Sequence, residues 1–249
     1  MKLLRSETGR VSLIGHRGAL ACAPENTMAS FEEGLRQGVD LLELDVHLCA
    51  SGEVVVMHDA RVDRTTDGTG RVVDLTLAQL KALDAGSWFD PRFAGQRIPT
   101  LDEVLAWARG RVPIAIEIKN GPVFYPDITD KVVEAVIVHD MVDCAIVISF
   151  DHACLPRVKA LCPDMPTGIL YVARLADPVA AAAEAQADSL RPVWAYVTAE
   201  TVEKAHQAGL SVEPWGREPD YAWLVEIGVD TVCADHPAPV RALLDELFA

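Results

Sequence analysis

"LLELDVHLCASGEVVVMHD", residues 41–59, holds two apolar runs that suit β-strands, 41–48 and 54–59. The residues between them, "CASGE", are too few for a helical crossover, so the second run is expected to return antiparallel as a hairpin. Elsewhere the spacing is different. Strand-like runs at 11–15, 112–119, 145–150, 167–172, 187–191, 210–215 and 230–234 are separated by helical periodicity at 27–37, 100–109, 127–139, 153–161, 178–185, 199–208 and 218–227, with a last helix at 237–248. Together with 41–48 they make β-then-α units in the number of a (β/α)8 TIM barrel, which is favoured over an open doubly wound sheet. The hairpin strand then belongs to a small insertion after strand 2, about 47–98. Its part from 60 to 98 is rich in Asp, Thr, Gly and Arg, has one helical stretch near 76–83, and is expected to cap the barrel mouth. No linker or internal repeat divides the chain, so 1–249 reads as one domain. Thr100 with Glu103, three residues on, has capping-box spacing, and Thr198 or Ala199 opens the helix that stops at Gly209.

Half of the 249 residues are hydrophobic and 24% are charged, the balance of a globular protein with a full core. A net charge of −15 argues against nucleic-acid partners and anionic membrane surfaces, which require clustered Lys and Arg. The N-terminal "MKLLRSETGRVSLIG" has no apolar core of signal-peptide length, and no run is long enough to span a membrane. Six scattered cysteines show no CxxC spacing and read as free thiols of a reducing compartment. A cytoplasmic protein without stable membrane association is expected; a homo-oligomer is compatible with the sequence.

Charges inside the apolar strands carry the chemistry. Alternate residues on a strand share a face, about 6.5–7 Å apart. In "LLELDVHL" this sends Glu43, Asp45 and His47 one way and the leucines and valine the other. In "IAIEIKN", 114–120, it sends Glu117 and Lys119 away from Ile114, Ile116 and Ile118. Packing the aliphatic faces on the helices turns the charged faces inward, near the C-terminal end where barrel enzymes keep their sites. Three carboxylates held together repel unless a cation joins them, and all-oxygen ligands suit one divalent metal ion, Mg2+ or Ca2+. Ion pairs of Glu117 with Lys119 and Glu43 with Arg17 are the plainer reading of the same residues. His16 and Arg17 end strand 1, and His58 ends the hairpin. Two imidazoles suit two-way proton transfer, and the adjoining cation suits an anionic substrate such as phosphate. His47, His139, His152, His206 and His236 read as ordinary core or surface residues.

In order, "GHRG" (15–18), "PENT" (24–27), "ELD" (43–45), "HD" (58–59), "DRTTDGTG" (63–70), "PTLDEVL" (99–105) and "EIK" (117–119) resemble the glycerophosphodiester phosphodiesterase family. Weaker matches follow at "ISF" (148–150), "GIL" (168–170), Trp215 and "ADHP" (234–237). The resemblance implies a barrel enzyme that hydrolyses small-molecule glycerophosphodiesters, such as glycerophosphocholine or glycerophosphoethanolamine, to sn-glycerol 3-phosphate and an alcohol. It implies Glu43, Asp45 and Glu117 as metal ligands, His16 and His58 as the acid–base pair, and Arg17 and Lys119 as phosphate ligands, with Trp215 on the substrate. His58 is taken as the acid and His16 as the base. Where the family often has Trp-Thr-Val-Asn, this chain has Trp215-Gly216-Arg217-Glu218, and Ala234-Asp235-His236-Pro237 replaces Thr-Asp-Arg-Pro. Those departures leave the leaving alcohol open. Competing expectations are a phospholipase D-like or cyclising enzyme on lysophospholipids, a non-catalytic phosphate-binding barrel, and a metal-dependent sugar isomerase or aldolase.

Overall fold

The computed structural model describes residues 3–248, so residues 1, 2 and 249 of the expected domain lie outside the description. After a short helix α1 (Arg5–Thr8), the elements run β1 (Ser12–Gly15), α2 (Met28–Arg36), β2 (Leu41–Leu48), β3 (Val54–Val56), α3 (Leu77–Ala82), α4 (Leu101–Ala108), β4 (Ile114–Ile118) and α5 (Ile128–Val138). Then come β5 (Ala145–Ser149), α6 (Leu155–Leu161), β6 (Thr167–Tyr171), α7 (Pro178–Glu184), β7 (Ser189–Pro192), α8 (Ala199–Gln207), β8 (Ser211–Val212), α9 (Tyr221–Glu226), β9 (Thr231–Ala234) and α10 (Pro237–Leu247). The order β8-β7-β6-β5-β4-β2-β1-β9, parallel throughout, is a nearly closed (β/α)8 barrel. β3 pairs antiparallel with β2, Val46 opposite Val56, as the short "CASGE" turn requires.

The alternation works as expected. Leu42, Leu44, Val46, Ile114, Ile116 and Ile118 pack outward with α-helical residues such as Phe31, Val104 and Val132. Inside the barrel, Ile14, Leu41, Ala115, Ile146, Ile148 and Leu170 form a separate apolar layer. Thr100 and Glu103 form the reciprocal capping box of α4, and Thr198 caps α8.

Strand β8 is shorter than the expected 210–215. Pro192 at the end of β7 has no N–H to give to Glu213 O, so pairing beyond Val212 continues as separate contacts, Glu213 N to Leu190 O, Trp215 N to Pro192 O and Trp194 N to Trp215 O. The seam between β8 and β9 is stitched by buried Asp230: its N–H donates to Val212 O at 3.0 Å and its carboxylate accepts from Val212 N at 2.7 Å. The insertion has a small core of its own, with Val55, Met57, Val62, Val72, Leu80, Ala85 and Ile98. All six cysteines are unpaired. Among the described residues no helix is long and apolar enough to cross a membrane.

Candidate active site

The turn after β1 places the first two polar groups. Gly15 and Gly18 allow it: a Cβ on Gly15 would sit 2.2 Å from Gly18 O, and one on Gly18 would meet Ser30 Oγ at 2.4 Å. Between them Arg17 takes the left-handed conformation, φ 50°, which costs a residue with a side chain. The surroundings hold it there. Its N–H donates to Glu43 Oε2 at 2.9 Å, and its carbonyl accepts from Ser30 Oγ at 2.8 Å and Asn26 N at 3.1 Å.

"PENT" then proves to be a set of clamps. Thr27 caps α2. Asn26, also left-handed, donates from Nδ2 to Asp45 Oδ2 at 2.8 Å. Glu25 accepts from Arg17 Nη1 at 2.8 Å and from both terminal nitrogens of Arg64 at 2.7 and 2.8 Å. Arg64, from the insertion, continues to Asp59 at 2.7 and 3.0 Å, and Asp59 Oδ1 lies 2.7 Å from His58 Nδ1. One chain of charges therefore runs from Arg17 through Glu25, Arg64 and Asp59 to His58.

β2 and β4 are paired with Asp45 opposite Glu117, which brings the inward acids together. Buried Glu43, Asp45 and Glu117 each offer an oxygen within 4.8 Å of the others. Lys119 Nζ stands 2.5 Å from Glu117 Oε1 and 3.1 Å from Asp45 Oδ1, and Arg17 Nε 3.3 Å from Asp45 Oδ2. These contacts have ion-pair distances but not hydrogen-bond geometry, so Asp45 Oδ1 and Glu117 Oε1 are buried without a donor. Of the two plain ion pairs expected from the sequence, Glu117 with Lys119 is present, Lys119 reaching Asp45 as well, whereas Arg17 meets Glu43 through its backbone N–H while its side chain takes Glu25 and Asp45.

Protonation follows from this crowding. Burial pushes Glu117 up to about 8, Lys119 failing to offset it while Asp45 and Glu43 add to it. Burial and then Asp45 also raise Glu43. Burial would raise Asp45 too, but Lys119 and Arg17 outweigh it and hold that carboxylate far below its ordinary value. Three acids against two cations leave the cluster one positive charge short when all are ionised. Orphaned oxygens, all-oxygen donors and that shortage fit a hard divalent cation.

Each of the two imidazoles has one nitrogen committed. His16 Nδ1 lies 2.6 Å from Asp235 Oδ1, as His58 Nδ1 does 2.7 Å from Asp59, which leaves both Nε2 atoms for a ligand. Burial lowers the His58 pKa, with Lys119 and Arg17 also lowering it and Asp45 opposing them. His16, Arg17, Glu43, His58, Glu117, Lys119 and Trp215 line one cavity, over an apolar floor that includes Ile14, Ile148 and Leu170. Asp45 lies directly behind it, 1% exposed. Every site residue expected from the sequence is thus gathered at one place. Trp215 donates from Nε1 to Arg191 O at 2.9 Å and meets Phe150 edge-on at 5.5 Å. His47 is engaged elsewhere, between Tyr125 Oη at 3.0 Å and His58 O at 3.1 Å.

Residues 16–239 match the model of the glycerophosphoryl diester phosphodiesterase family. The chain belongs to this family. It is accordingly an enzyme of the phosphodiesterase class. It is 40% identical to a glycerophosphodiester phosphodiesterase of Caldanaerobacter subterraneus over 90% of this chain and 94% of the relative. A crystal structure of a glycerophosphodiester phosphodiesterase from Agrobacterium tumefaciens is similar, with TM-score 0.80, 33% identity, and 92% and 97% of the two chains covered. So is a phosphodiesterase from Oleispira antarctica in complex with the product sn-glycerol-3-phosphate, with TM-score 0.85, 27% identity, and 96% and 99% covered.

Sequence reasoning named the residues that face the cavity but gave no role to the shell behind them: Glu25, Asn26, Asp59, Arg64 and Asp235. All five sit inside motifs that were noted, "PENT", "HD", "DRTTDGTG" and "ADHP". Arg191 and Glu213 escaped notice although "SLRP" and "SVEP" carry a charge two residues after a strand serine, the same alternation that exposed the acids of β2 and β4.

Proposed function

We propose that this phosphodiesterase hydrolyses glycerophosphodiesters such as glycerophosphocholine or glycerophosphoethanolamine, releasing sn-glycerol 3-phosphate and an alcohol. The observation that carries the reading is the pair of carboxylate-anchored imidazoles opening on the cavity that also holds the acidic trio. Glu43, Asp45 and Glu117 would hold Mg2+ or Ca2+. Held by these three carboxylates, such an ion would supply positive charge to stabilise the charge that builds on the phosphodiester. It would also change the cluster from one negative charge to one positive, which suits a diester bearing a single negative charge.

Arg17 and Lys119 orient the phosphate from the cavity wall. His16 takes a proton on Nε2 from the attacking oxygen as that oxygen bonds to phosphorus. His58 gives a proton from Nε2 to the alkoxide as its bond to phosphorus breaks. The attacker is water or the substrate's own glycerol hydroxyl, the second route passing through a cyclic phosphate. Asp235 and Asp59 each engage one Nδ1 and leave Nε2 to the cavity, and Asp59 favours the imidazolium of His58. The acid role of His58 needs its depressed pKa to recover, and the negative charge of an arriving diester acts in that direction. Trp215 and Phe150 face the leaving alcohol from the other wall.

A panel of glycerophosphodiesters, with and without chelator, tests the reading through release of sn-glycerol 3-phosphate. Turnover that chelation abolishes and Mg2+ or Ca2+ restores is expected. Turnover indifferent to chelator overturns the metal assignment, and no release from any member overturns the substrate class.

A further inference from the structure

The wall of the cavity formed by β7 and β8 contains a second charged device, which the hydrolysis above does not use. Arg191 and Glu213 are 3% and 2% exposed, hydrogen-bonded to each other, and Arg191 with Glu213 lines the cavity beside Trp215. The site is built for them. Gly168 on β6 leaves room: a Cβ there would stand 2.9 Å from Arg191 Nε and 2.3 Å from Ser189 Oγ. Ser189 Oγ accepts from Arg191 Nε at 3.4 Å, and Ser211 Oγ donates to Glu213 Oε1 at 3.0 Å.

A pair of this kind is costly to bury. Desolvation of two ions commonly exceeds their attraction, and apolar residues of similar volume often serve stability as well or better. The pair also leaves hydrogen-bonding capacity unused. Arg191 Nη1 has no acceptor among the described residues, and the Glu213 carboxylate retains lone pairs beyond those taken by Ser211 and Arg191. Donor and acceptor stand side by side on the cavity wall.

Charge decides what such a wall can hold. A second anion would meet the Glu213 carboxylate, and a cation would meet the Arg191 guanidinium. A neutral group that both accepts and donates satisfies the two at once, and a hydroxyl does this. Two adjacent hydroxyls match the two ends of the pair.

We propose that Arg191 and Glu213 form a specificity subsite for a vicinal diol, one hydroxyl accepting from Arg191 Nη1 and its neighbour donating to Glu213. The inference rests on the cavity being the substrate site. The diol belongs either to the glycerol that the enzyme keeps or to a polyol leaving group.

The test uses the metal-loaded enzyme and the double variant Arg191→Met/Glu213→Leu, which removes both charges together and leaves neither unpaired. For the retained side, sn-glycerol 3-phosphate is compared as a competitive inhibitor with 3-hydroxypropyl phosphate, which lacks the central hydroxyl. For the leaving side, kcat/KM for glycerophosphoglycerol is compared with that for glycerophosphopropanol. In one of these arms the wild type should favour the diol by about tenfold or more, as expected for a hydrogen bond to a charged group. In the double variant the preference should shrink to within about threefold. A preference that survives unchanged in the variant, or a wild type with none in either arm, overturns the subsite while leaving the phosphodiesterase reading intact. A wild type that releases sn-glycerol 3-phosphate from no glycerophosphodiester, glycerophosphocholine included, overturns that reading itself. If the double variant does not fold, a crystal structure of the wild type with each diol ligand decides. A hydroxyl within hydrogen-bond distance of Arg191 Nη1 supports the subsite, and diols turned away from β7 and β8 in both overturn it.

Discussion

The two halves of the barrel mouth are built in opposite ways. The strand ends of β1, β2, β3 and β4 crowd two imidazoles, two cations and three acids together, backed by the relay from Arg17 to Asp59. The ends of β5 to β8 present Ile148, Phe150, Leu170 and Trp215, with a single self-neutralised ion pair. On the proposed assignment, the first half moves protons and holds the phosphate. The second recognises the substrate. The comparison separates reaction from selection, and substitutions in the two halves should therefore have different signatures.

The largest effects belong to the first half. His16→Ala and His58→Ala are each expected to lower turnover by about 10²–10⁴, with metal affinity and folding unchanged. Steady-state kinetics beside calorimetry checks this. Near wild-type rates in both variants with metal bound would remove the proton-transfer assignment and, with it, the contrast.

Metal affinity should next reveal the state of the acids. Because burial holds a proton on Glu117 up to about 8, an incoming dication must displace it. Affinity is expected to rise about tenfold per pH unit from 6 toward 8 and then level off, since one proton leaves for each ion bound. Calorimetry in two buffers of different ionisation enthalpy counts that proton. Glu43→Ala should lose the metal first. Unchanged affinity in that variant would return the trio to ion pairing.

The same contrast explains what could be read without coordinates. Strand alternation is a local rule, and it sufficed for Glu43, Asp45, Glu117 and Lys119 because both strands are buried on both faces and any inward charge breaks an apolar run. The hairpin was legible because five residues cannot hold a crossover. What escaped was long-range pairing. Nothing local to Asp235 says that it meets His16, 219 residues away, and nothing in "DRTTDGTG" says that Arg64 grips Glu25 with both terminal nitrogens. The length of β8 was overestimated because nothing within 210–215 shows that it runs beside Pro192, which has no N–H to continue the ladder. Arg191 and Glu213 each stand as a lone charge in or beside a short strand, and only the pairing of β7 with β8 makes them a pair.

Trp215→Ala probes the selecting half with a smaller effect. Removing the ring that meets Phe150 and bonds Arg191 O should raise KM about tenfold for glycerophosphodiesters and leave metal affinity as it was. If kcat fell as far as in His16→Ala, with KM unmoved, the second half would share in the chemistry and the separation would fail.

The smallest expected effect is on stability and lies in the relay. Asp59 is held down to about 2, first by the hydrogen bonds from Arg64, and also by His58, against the opposing effect of partial burial. Its unfolded value is near 3.9. A carboxylate with a depressed folded pKa stabilises the fold fully above the unfolded value and loses that contribution as pH falls through the folded one. The window is therefore about pH 4 to 2. Asp59→Asn keeps the shape and cannot titrate, so its unfolding midpoint should decline less steeply across that window than the wild type, the two curves converging at the acid end. Asp59 is partly open to solvent, which screens its pairing with Arg64 and keeps the difference small. Parallel curves would mean that Arg64 is held by Glu25 alone. Arg64 would then be tied to the barrel through one carboxylate, and His58 would owe its position to β3 rather than to the relay.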